Sequence, residues 1–368
     1  MGYEIDFLGV GEKSNSGDAI AVRFGNLSGS REEQTIVVID AGYKSDDEKL
    51  IDHINTHYGT NSVDLVISTH PDQDHINGLH AVIEGMDVKR LWIHQPWADT
   101  YGLADLFEDG RVTDNSIGKR LRENLESAYS LVEIAIKKGI IVEQPFTGLM
   151  YKDVKVIGPT EDYYRSLIPE FDGMPDAKKS ESTALNEIRA GFEHVFDEVK
   201  KIFQKITSIW GEDKIDDNDT TSAKNNSSVI TQIIVDNKRL VFTGDAGITA
   251  LTAAAEEINN CTSGATLAFI QVPHHGSKRN VGPTVLNKII GEPIGQGEKR
   301  NITAMVSTAK EGEPKHPHKA VLNAFTHRGV EAVPTRGTTI CHHFGGQVRS
   351  GWSSISPEPY HYEYDEEV

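Results

Sequence analysis

Apolar and polar residues alternate in three short runs at the start of the chain, and this pattern predicts three β-strands. They are residues 3–8, 18–24 and 34–42, and glycine-bearing turns separate them, as in a β-meander. The apolar, β-branched run at 63–68 predicts a further, buried strand. The segment 45–58 before it begins with capping residues and predicts a crossover helix.

The second half of the chain continues this mixture of strands and helices. Residues 225–235 and 239–246 predict a hairpin, and the alanine-rich segment 248–259 predicts a helix. The remaining predicted strands are residues 89–94, a strand that begins at Ala268, and residues 301–308, 330–333 and 338–341. A helix is predicted at 319–328. The chain is therefore predicted to belong to the α/β class.

The middle of the chain follows a different pattern. Its predicted elements are amphipathic helices at 119–138 and 181–210, a strand at 153–160 and an acidic loop at 211–219. We interpret 97–220 as a variable, mainly helical insertion that shapes substrate access, and a surface for a protein partner is the alternative. Residues 1–350 are then predicted to form one domain, and 351–368 an acidic, aromatic tail that is either a surface strand or disordered.

The strand predicted at 63–68 ends in a dense group of possible metal ligands. His70, Asp72, Asp74 and His75 lie within six residues, and Pro71 delays the following helix, predicted at 76–83. Two clustered aspartates repel each other unless a cation neutralises them, and imidazole and carboxylate suit zinc, manganese or iron(II). We therefore favour a metal site over a surface loop of similar composition.

This motif, HxDxDH, resembles the HxHxDH signature of the metallo-β-lactamase fold hydrolases. Thr243-Gly244-Asp245 and the run from Pro273 to Lys278 (PHHGSK) resemble one subgroup in particular. That subgroup comprises the soluble domain of the bacterial competence DNA-uptake channel protein and its free-standing relatives. Asn225-Asn226-Ser227-Ser228, Ser307 and His316-Pro317-His318 are also similar to its motifs, so the resemblance covers residues 1–95 and 222–345.

The resemblance implies an αββα sandwich with two divalent metal ions at one edge of the sheets. It assigns His70 and Asp72 to one metal site, Asp74 and His75 to the other, and Asp245 to a bridging position. One of His274 and His275 would bind metal while the other assists catalysis. Spacing does not settle which, because neighbouring strand residues point to opposite faces; our prediction gives His275 the metal and His274 the catalytic role.

Further residues are predicted around these ligands. Asp40 matches a residue that orients the metal loop from behind, although a strand-terminal aspartate also makes ordinary turns. Asn225 and Asn226 stand where many relatives have a histidine, so an amide or water would fill that position. Lys278 is a candidate contact to phosphate, with a solvated loop lysine as the alternative. The other candidates for the second shell or the substrate are Asn226, Ser307, His316 and His318, for the last two of which cap and turn roles are also open.

Composition limits the partners. The formal net charge of −18 argues against broad, nonspecific attraction to nucleic acid but leaves room for a local basic groove. No apolar run approaches the ~20 residues of a membrane span, and acids stand where a signal peptide has basic residues, so we expect a cytoplasmic protein with no membrane partner. Cys261 and Cys341 are expected to pack, although Cys341 precedes two histidines, and His94 is expected to be structural.

These observations predict a metal-dependent hydrolase that uses zinc or manganese, with the oxygen-rich ligand set shifting preference towards manganese. We predict a phosphodiesterase or nuclease in which two ions activate a water, with Asp74, Lys278 and His274 as the catalytic residues. Its substrate would be a phosphodiester, either nucleic acid or a small nucleotide. The alternatives are a lactone, thioester or β-lactam hydrolase of the same fold, and a non-catalytic component that binds a partner through 97–220.

Overall fold

The computed structural model describes residues 1–11, 15–178, 203–310 and 316–367. The described strands are β1 (Gly2–Phe7), β2 (Ala19–Gly25), β3 (Gln34–Ala41), β4 (Ser62–Val63), β5 (Leu65–Ile67), β6 (Asp87–Val88), β7 (Arg90–Trp92), β8 (Ile141–Glu143), β9 (Met150–Tyr151), β10 (Val154–Gly158), β11 (Phe203–Thr207), β12 (Ile230–Val235), β13 (Lys238–Phe242), β14 (Thr266–Gln271), β15 (Thr303–Val306), β16 (Glu331–Pro334), β17 (Ile340–Phe344) and β18 (Glu363–Glu367).

The described α-helices are α1 (Asp47–His53), α2 (Gln73–Ile76), α3 (Leu79–Gly85), α4 (Asp114–Asn124), α5 (Glu126–Lys137), α6 (Glu161–Leu167), α7 (Ala223–Asn226), α8 (Ile248–Asn259), α9 (Pro283–Ile289) and α10 (Lys319–His327). Within the part of the chain that the structure describes, every helix is too short or too polar to cross a bilayer. Cytoplasmic location stays a prediction.

Two seven-stranded sheets pack face to face at the centre of the molecule. The first sheet has the order β17-β1-β2-β3-β5-β7-β8, and the second has the order β16-β15-β14-β13-β12-β10-β9. Strand β3 shows how the layers arise, because its side chains alternate. Val37 and Ile39 join the apolar core between the sheets, whereas Ile36 and Val38 pack with α1 and α3 on the outer face. A second outer core, under α8, α9 and α10, covers the other sheet. The predicted αββα sandwich of the metallo-β-lactamase fold is confirmed.

Residues 97–220 contribute to both sheets as well as to helices. Strand β8 pairs in parallel with β7 at the edge of the first sheet, and β10 pairs with β12 in the second sheet. The helix expected at 119–138 is two helices, since Leu125 between α4 and α5 has φ −113° and ψ 39°. The predicted division of the chain into one domain, an insertion and a tail stays a prediction.

The helix predicted at 181–210 is wrong at its C-terminal end. Residues 179–202 lie outside the described residues, but 203–207 form strand β11, which pairs antiparallel with β18 near the end of the chain. Tyr364 of β18 joins the outer core of the second sheet, with Ile206 of β11 packed against it. Burial of these side chains against that core overrides the local helical pattern. The tail is therefore a strand at 363–367.

Candidate metal centre

The loop that follows β5 carries four of the predicted ligands. Strand β5 lies between β3 and β7 in the first sheet, so its C-terminal end is held on both sides. The chain leaves it through Ser68, whose backbone N–H donates to the carbonyl of Trp92 at 2.9 Å. Asp72 has an extended backbone (φ −73°, ψ 148°) and caps helix α2, which carries Asp74 and His75. The loop and the helix thus point their polar side chains towards the second sheet.

The loop that follows β13 brings Asp245 to this point from the second sheet. Gln271 fixes the loop, because its side-chain oxygen Oε1 accepts hydrogen bonds from the backbone N–H groups of Thr243 and Gly244 at 2.9 and 3.1 Å. Gly244 has φ +50°, and a Cβ on it would lie 2.9 Å from Cβ of Thr69. Glycine is therefore required for the two loops to approach so closely.

The loop that follows β14 supplies His274 and His275. Both have a left-handed backbone, with φ of 47° and 51°, a conformation that is rare for residues other than glycine. Strain of this kind persists where surrounding structure enforces it, and it is frequent at functional sites. His275 is buried, and its Nδ1 lies 3.1 Å from the carbonyl oxygen of Ser307, which orients the ring.

Asp245 lies between two imidazole rings of the first loop. Its Oδ2 is 3.8 Å from Nε2 of His70, and its Oδ1 is 3.5 Å from Nε2 of His75. These three groups can offer ligand atoms that all lie within 4.8 Å of one another. Asp72 adds a carboxylate oxygen 3.6 Å from Nε2 of His70. Asp245 thus presents one oxygen towards each histidine, and all three groups are of types that bind divalent cations.

A second group shares His75 with the first. Oδ2 of Asp74 is 3.7 Å from Nε2 of His75 and 3.4 Å from Nε2 of His275. These three residues also meet within 4.8 Å. His274 lies on the other side of Asp245, with its Nδ1 3.6 Å from Oδ2 of that carboxylate and 2.6 Å from the amide nitrogen of Asn225.

Asp40 holds the first loop from behind. Its Oδ1 accepts from the backbone N–H of Thr69 at 2.8 Å, and its Oδ2 accepts from the Thr69 hydroxyl at 2.5 Å. The same Oδ2 is 2.8 Å from Nδ1 of His75. Contact of Nδ1 with a carboxylate fixes the imidazole so that Nε2 faces the centre.

Three buried polar atoms at this point have no hydrogen-bond partner in the described structure. They are Nε2 of His70, Nε2 of His75 and Oδ1 of Asp245. Buried polar atoms are almost always satisfied, and unsatisfied ones are costly in a low-dielectric interior. All three point at one another, and all are of types that bind divalent cations. The residues present therefore fit a metal centre, and the described structure contains His and Asp groups able to hold one.

The pKa values follow from this crowding of charges. Burial alone would raise the pKa of Asp74, but His75 and His275 outweigh it and lower this pKa to about 2. Burial also acts on Asp245, yet His274 and His75 hold its pKa well below the usual range. Burial would lower the pKa of His275, but Asp74 and Asp245 raise it to about 9. Opposite charges thus compensate one another across the centre.

The remaining predicted residues surround the centre at greater distance. Oδ1 of Asn226 accepts from the backbone N–H of Gly247 at 3.1 Å, which fixes the chain beyond Asp245. The ring of His316 lies 6.0 Å from that of His274. Nδ1 of His318 accepts from the backbone N–H of Ala320 at 3.3 Å and caps α10. These positions favour supporting roles over direct binding of metal.

Lys278 and the side chain of Ser307 differ in their partners. The ammonium group of Lys278 donates to the carboxylate of Glu366 in β18. The hydroxyl of Ser307 is buried and has no hydrogen-bond partner in the described part of the chain. His94 is also buried, with its ring stacked on Tyr164 at 4.1 Å, so a structural role fits it. Neither Cys341 nor its neighbours belong to the two candidate groups found among the described residues.

Asp18 is a residue of this site that sequence reasoning missed. Its Oδ2 lies 3.9 Å from Nδ1 of His75 and accepts from the amide of Gln271 at 2.9 Å. Burial raises the pKa of Asp18. The available signal was a lone carboxylate just before the start of β2. Asp40 lies near the C-terminal end of β3, and because β2 and β3 are antiparallel, both aspartates lie at the same edge of the sheet.

Fold and site together define a chain of the metallo-β-lactamase fold with a candidate metal centre. The chain is similar to ComE operon protein 3 of Bacillus subtilis (strain 168), with 22% identity over 373 residues that cover 97% of this chain and 34% of that protein. It therefore spans about a third of the length of this curated relative. The similarity confirms the predicted resemblance to competence proteins, at low identity.

Two further comparisons add little. A provisionally assigned metallo-β-lactamase from Thermotoga maritima is 11% identical and aligns over 68% of this chain and 80% of its own, with a TM-score of 0.31. That score is too low to bear on the fold. No protein-family model matches the chain.

Proposed function

We propose that this protein is a metal-dependent hydrolase that cleaves phosphodiesters, in nucleic acid or in a small nucleotide. The observation that carries the proposal is the meeting of two buried histidine nitrogens and one buried aspartate oxygen, at the junction of the two sheets, that have no hydrogen-bond partner among the described residues. Such a set is costly unless a cation satisfies it. Histidine and aspartate side chains that hold divalent cations in this way are typical of a hydrolytic metal centre.

The residues that would hold two divalent ions, zinc or manganese, are His70, Asp72, Asp74, His75, Asp245 and His275. Three imidazoles suit either metal, and the three carboxylates favour manganese. When bound, such ions supply positive charge that lowers the pKa of a water and neutralises charge developing on a phosphate.

The protein's own residues would perform the remaining steps. Asp74 is ionised at neutral pH, because its pKa is about 2, and its side chain is 25% exposed, so its carboxylate can accept a hydrogen bond from an incoming water and orient that water. His274 has a pKa lowered by burial and is neutral. Its Nδ1 faces the amide nitrogen of Asn225, which favours the tautomer with the proton on Nε2. That proton can be donated to the oxygen of a leaving group.

Two lysines support an anionic substrate over a neutral lactone or β-lactam. Nζ of Lys224 is 2.8 Å from Oδ2 of Asp172 and 3.8 Å from Oδ1 of Asp72, and Lys278 follows His275 by three residues. Ammonium groups at the rim of such a centre attract and orient phosphate. The net charge of −18 opposes capture of a long polyanion, so substrate length is a variable to test.

The first experiment combines elemental analysis of the purified protein with hydrolysis assays. The substrates are bis-p-nitrophenyl phosphate and single- and double-stranded DNA, each with added manganese or zinc, and a lactone, a thioester and a chromogenic β-lactam serve as the competing classes. We expect about two metals per chain and metal-dependent cleavage of phosphodiesters. Asp74→Ala is expected to lower kcat/KM by a factor of about 100 or more, because it removes a proposed metal ligand and the carboxylate that orients the water.

The matched control is Gln73→Ala, which changes the exposed neighbour of Asp74 on the same helix. It is expected to keep wild-type metal content and activity. Bound metal with cleavage only of a lactone, thioester or β-lactam would move the assignment to that class. A chain that binds no metal at all would overturn the proposal and leave a partner-binding role.

A further inference from the structure

Lys278 is engaged by a carboxylate from the far end of the chain. Its ammonium group donates to Oε1 of Glu366, and the same oxygen lies 3.7 Å from Nε2 of His318. The side chains of Lys278 and Glu366 are 32% and 16% exposed. One carboxylate thus faces a lysine and a histidine in a partly enclosed position.

Lys278 and His318 belong to loops that contact each other beside the metal centre. The backbone N–H of His318 donates to the carbonyl of Gly276 at 3.0 Å. His316, two residues earlier, places its ring 6.0 Å from that of His274. His274 in turn contacts Asp245. The lysine and histidine therefore lie next to the candidate centre, on the side of the second sheet.

Strand β18 directs Glu366 inward by its register. Side chains alternate along a strand, so Tyr364 and Glu366 share one face and Glu363 lies on the other. Tyr364 is 4% exposed in the outer core of the second sheet, whereas the side chain of Glu363 is 54% exposed and pairs with Lys205 at 2.6 Å. Burial of the tyrosine thus fixes which acid of this strand reaches Lys278.

The segment before β18 is itself anchored. The amide of Asn323 donates to the carbonyl of His361 at 2.8 Å and accepts from its backbone N–H at 2.9 Å. The carbonyl of Tyr362 accepts from the backbone N–H of Ser208 at 2.8 Å. With five residue pairs in register between β11 and β18, the acidic strand is held in place rather than resting on Lys278 alone.

We propose that Lys278 and His318 form an anion subsite beside the metal centre, that this subsite takes a phosphate group of the substrate, and that Glu366 is its built-in occupant. A carboxylate is a close analogue of phosphate for such a pair, because both present anionic oxygens to an ammonium and an imidazole. Substrate phosphate displaces Glu366, so the C-terminal strand restrains binding at this end of the site. The inference rests on the proposed function for the identity of the ligand.

The test measures binding of inorganic phosphate to the full chain, as purified, by calorimetry, and each variant is compared with the wild type at equal metal content so that metal-bound phosphate contributes equally to all. Glu366→Gln removes the competing charge and keeps the shape, and it is expected to tighten phosphate binding about three- to tenfold. Adding Lys278→Met to that variant is expected to abolish the gain. Glu363→Gln, on the opposite face of the same strand, is the matched control and is expected to leave binding unchanged.

A second variant tests whether the effect of Glu366→Gln comes from disruption of strand β18 rather than from loss of the charge. Glu366→Asp keeps the charge but withdraws it by one methylene, and it is expected to bind phosphate with intermediate affinity. Thermal unfolding of each variant verifies that the chain is folded. Unchanged phosphate affinity in both folded Glu366 variants would overturn the subsite, even if the wild-type chain hydrolyses phosphodiesters. A gain that depends on Lys278 supports the subsite even if no hydrolysis is found, in which case only the proposed function fails.

Discussion

Asp40 combines an uncommon backbone conformation with three contacts to the metal-binding loop. Its φ is 54°, in the left-handed region that aspartate and asparagine tolerate better than most side chains. Its two oxygens face the backbone N–H and hydroxyl of Thr69 and Nδ1 of His75. A group that only accepts hydrogen bonds is therefore suited to this position, and its contact with Nδ1 orients the ring of His75 so that Nε2 faces Asp245.

We predict that Asp40→Asn lowers metal affinity about 10- to 100-fold while the chain stays folded. Asparagine keeps the backbone conformation, but its amide presents a donor where His75 or the Thr69 hydroxyl needs an acceptor. Affinity would be measured by competition with a chelating dye. Asp46→Asn is the control, since Asp46 is also a buried carboxylate but contacts Gly11 and Lys49 instead. Equal losses in both variants would argue against orientation of His75 as the cause.

Among the elements, the break between β4 and β5 depends on one buried carboxylate. Asp64 accepts from the backbone N–H of Ile36 at 2.9 Å, from Arg31 at 2.8 Å and from Lys89 at 2.8 Å. It therefore ties the start of the metal-bearing strand to β3 and to the residue just before β7. Burial opposes ionisation here, but the hydrogen bonds from Lys89, Ile36 and Arg31 outweigh it and lower the pKa of Asp64 to about 2, from its ordinary value of 3.8.

This depressed pKa predicts acid sensitivity of the fold. The folded state binds the proton of Asp64 more weakly than the unfolded state, so the stabilisation is present above about pH 4 and is lost as the pH falls towards 2. Asp64→Asn should therefore lose about 1–2 kcal/mol of unfolding free energy at pH 7, with a smaller further loss in acid than the wild type. Urea unfolding at pH 7, 4 and 3 measures this.

Asp87→Asn provides the comparison for that experiment, because Asp87 is an exposed carboxylate in the neighbouring strand β6. Its stability is expected to follow the wild type at every pH. If the unfolding free energy of Asp64→Asn falls between pH 7 and pH 3 by as much as that of the wild type, the ion pairs of Asp64 do not contribute to the acid dependence.

Elements with a strong local signal could be predicted from the sequence, and those that depend on distant partners could not. Helix α8 matches its predicted range of 248–259, because its alanine-rich sequence has the apolar spacing of a helix over its whole length. The strand β11 was predicted as helix, since its partner β18 lies near the other end of the chain. The break at Leu125 interrupts a continuous amphipathic pattern and has no sequence mark such as proline or glycine.

At the scale of the molecule, the candidate ligands come from both sheets. His70, Asp74 and His75 follow β5 of the first sheet, whereas Asp245 and His275 follow β13 and β14 of the second. The resemblance of the motifs, in their order along the chain, to those of a known family implied that these residues meet, and each motif follows a strand. Asp18 escaped prediction, since a single carboxylate carries no motif until the fold brings it to His75.

A centre shared by two sheets should couple metal binding to stability. We predict that EDTA lowers the unfolding midpoint of the wild-type chain, by the equivalent of about 3 kcal/mol relative to free metal at ~100 times its Kd. The physical reason is that the folded chain binds metal and the unfolded chain does not. Differential scanning fluorimetry with and without EDTA measures the shift.

Asp74→Ala should show a much smaller response to EDTA, and Gln73→Ala the full wild-type response. An unfolding midpoint that does not move when elemental analysis confirms removal of the metal would contradict coupling between the sheets.

The shared centre also sets an order of events during synthesis of the chain. His70 to His75 leave the ribosome long before Asp245 and His275, so the nascent chain carries four of the six proposed ligands while the residues between them are still being added. Domains acquire their structure as they emerge, and this partial set, with its two neighbouring aspartates, lacks the carboxylate of Asp245. We therefore expect metal to be loaded late in synthesis, and a chain that terminates early to be released without a complete set of ligands.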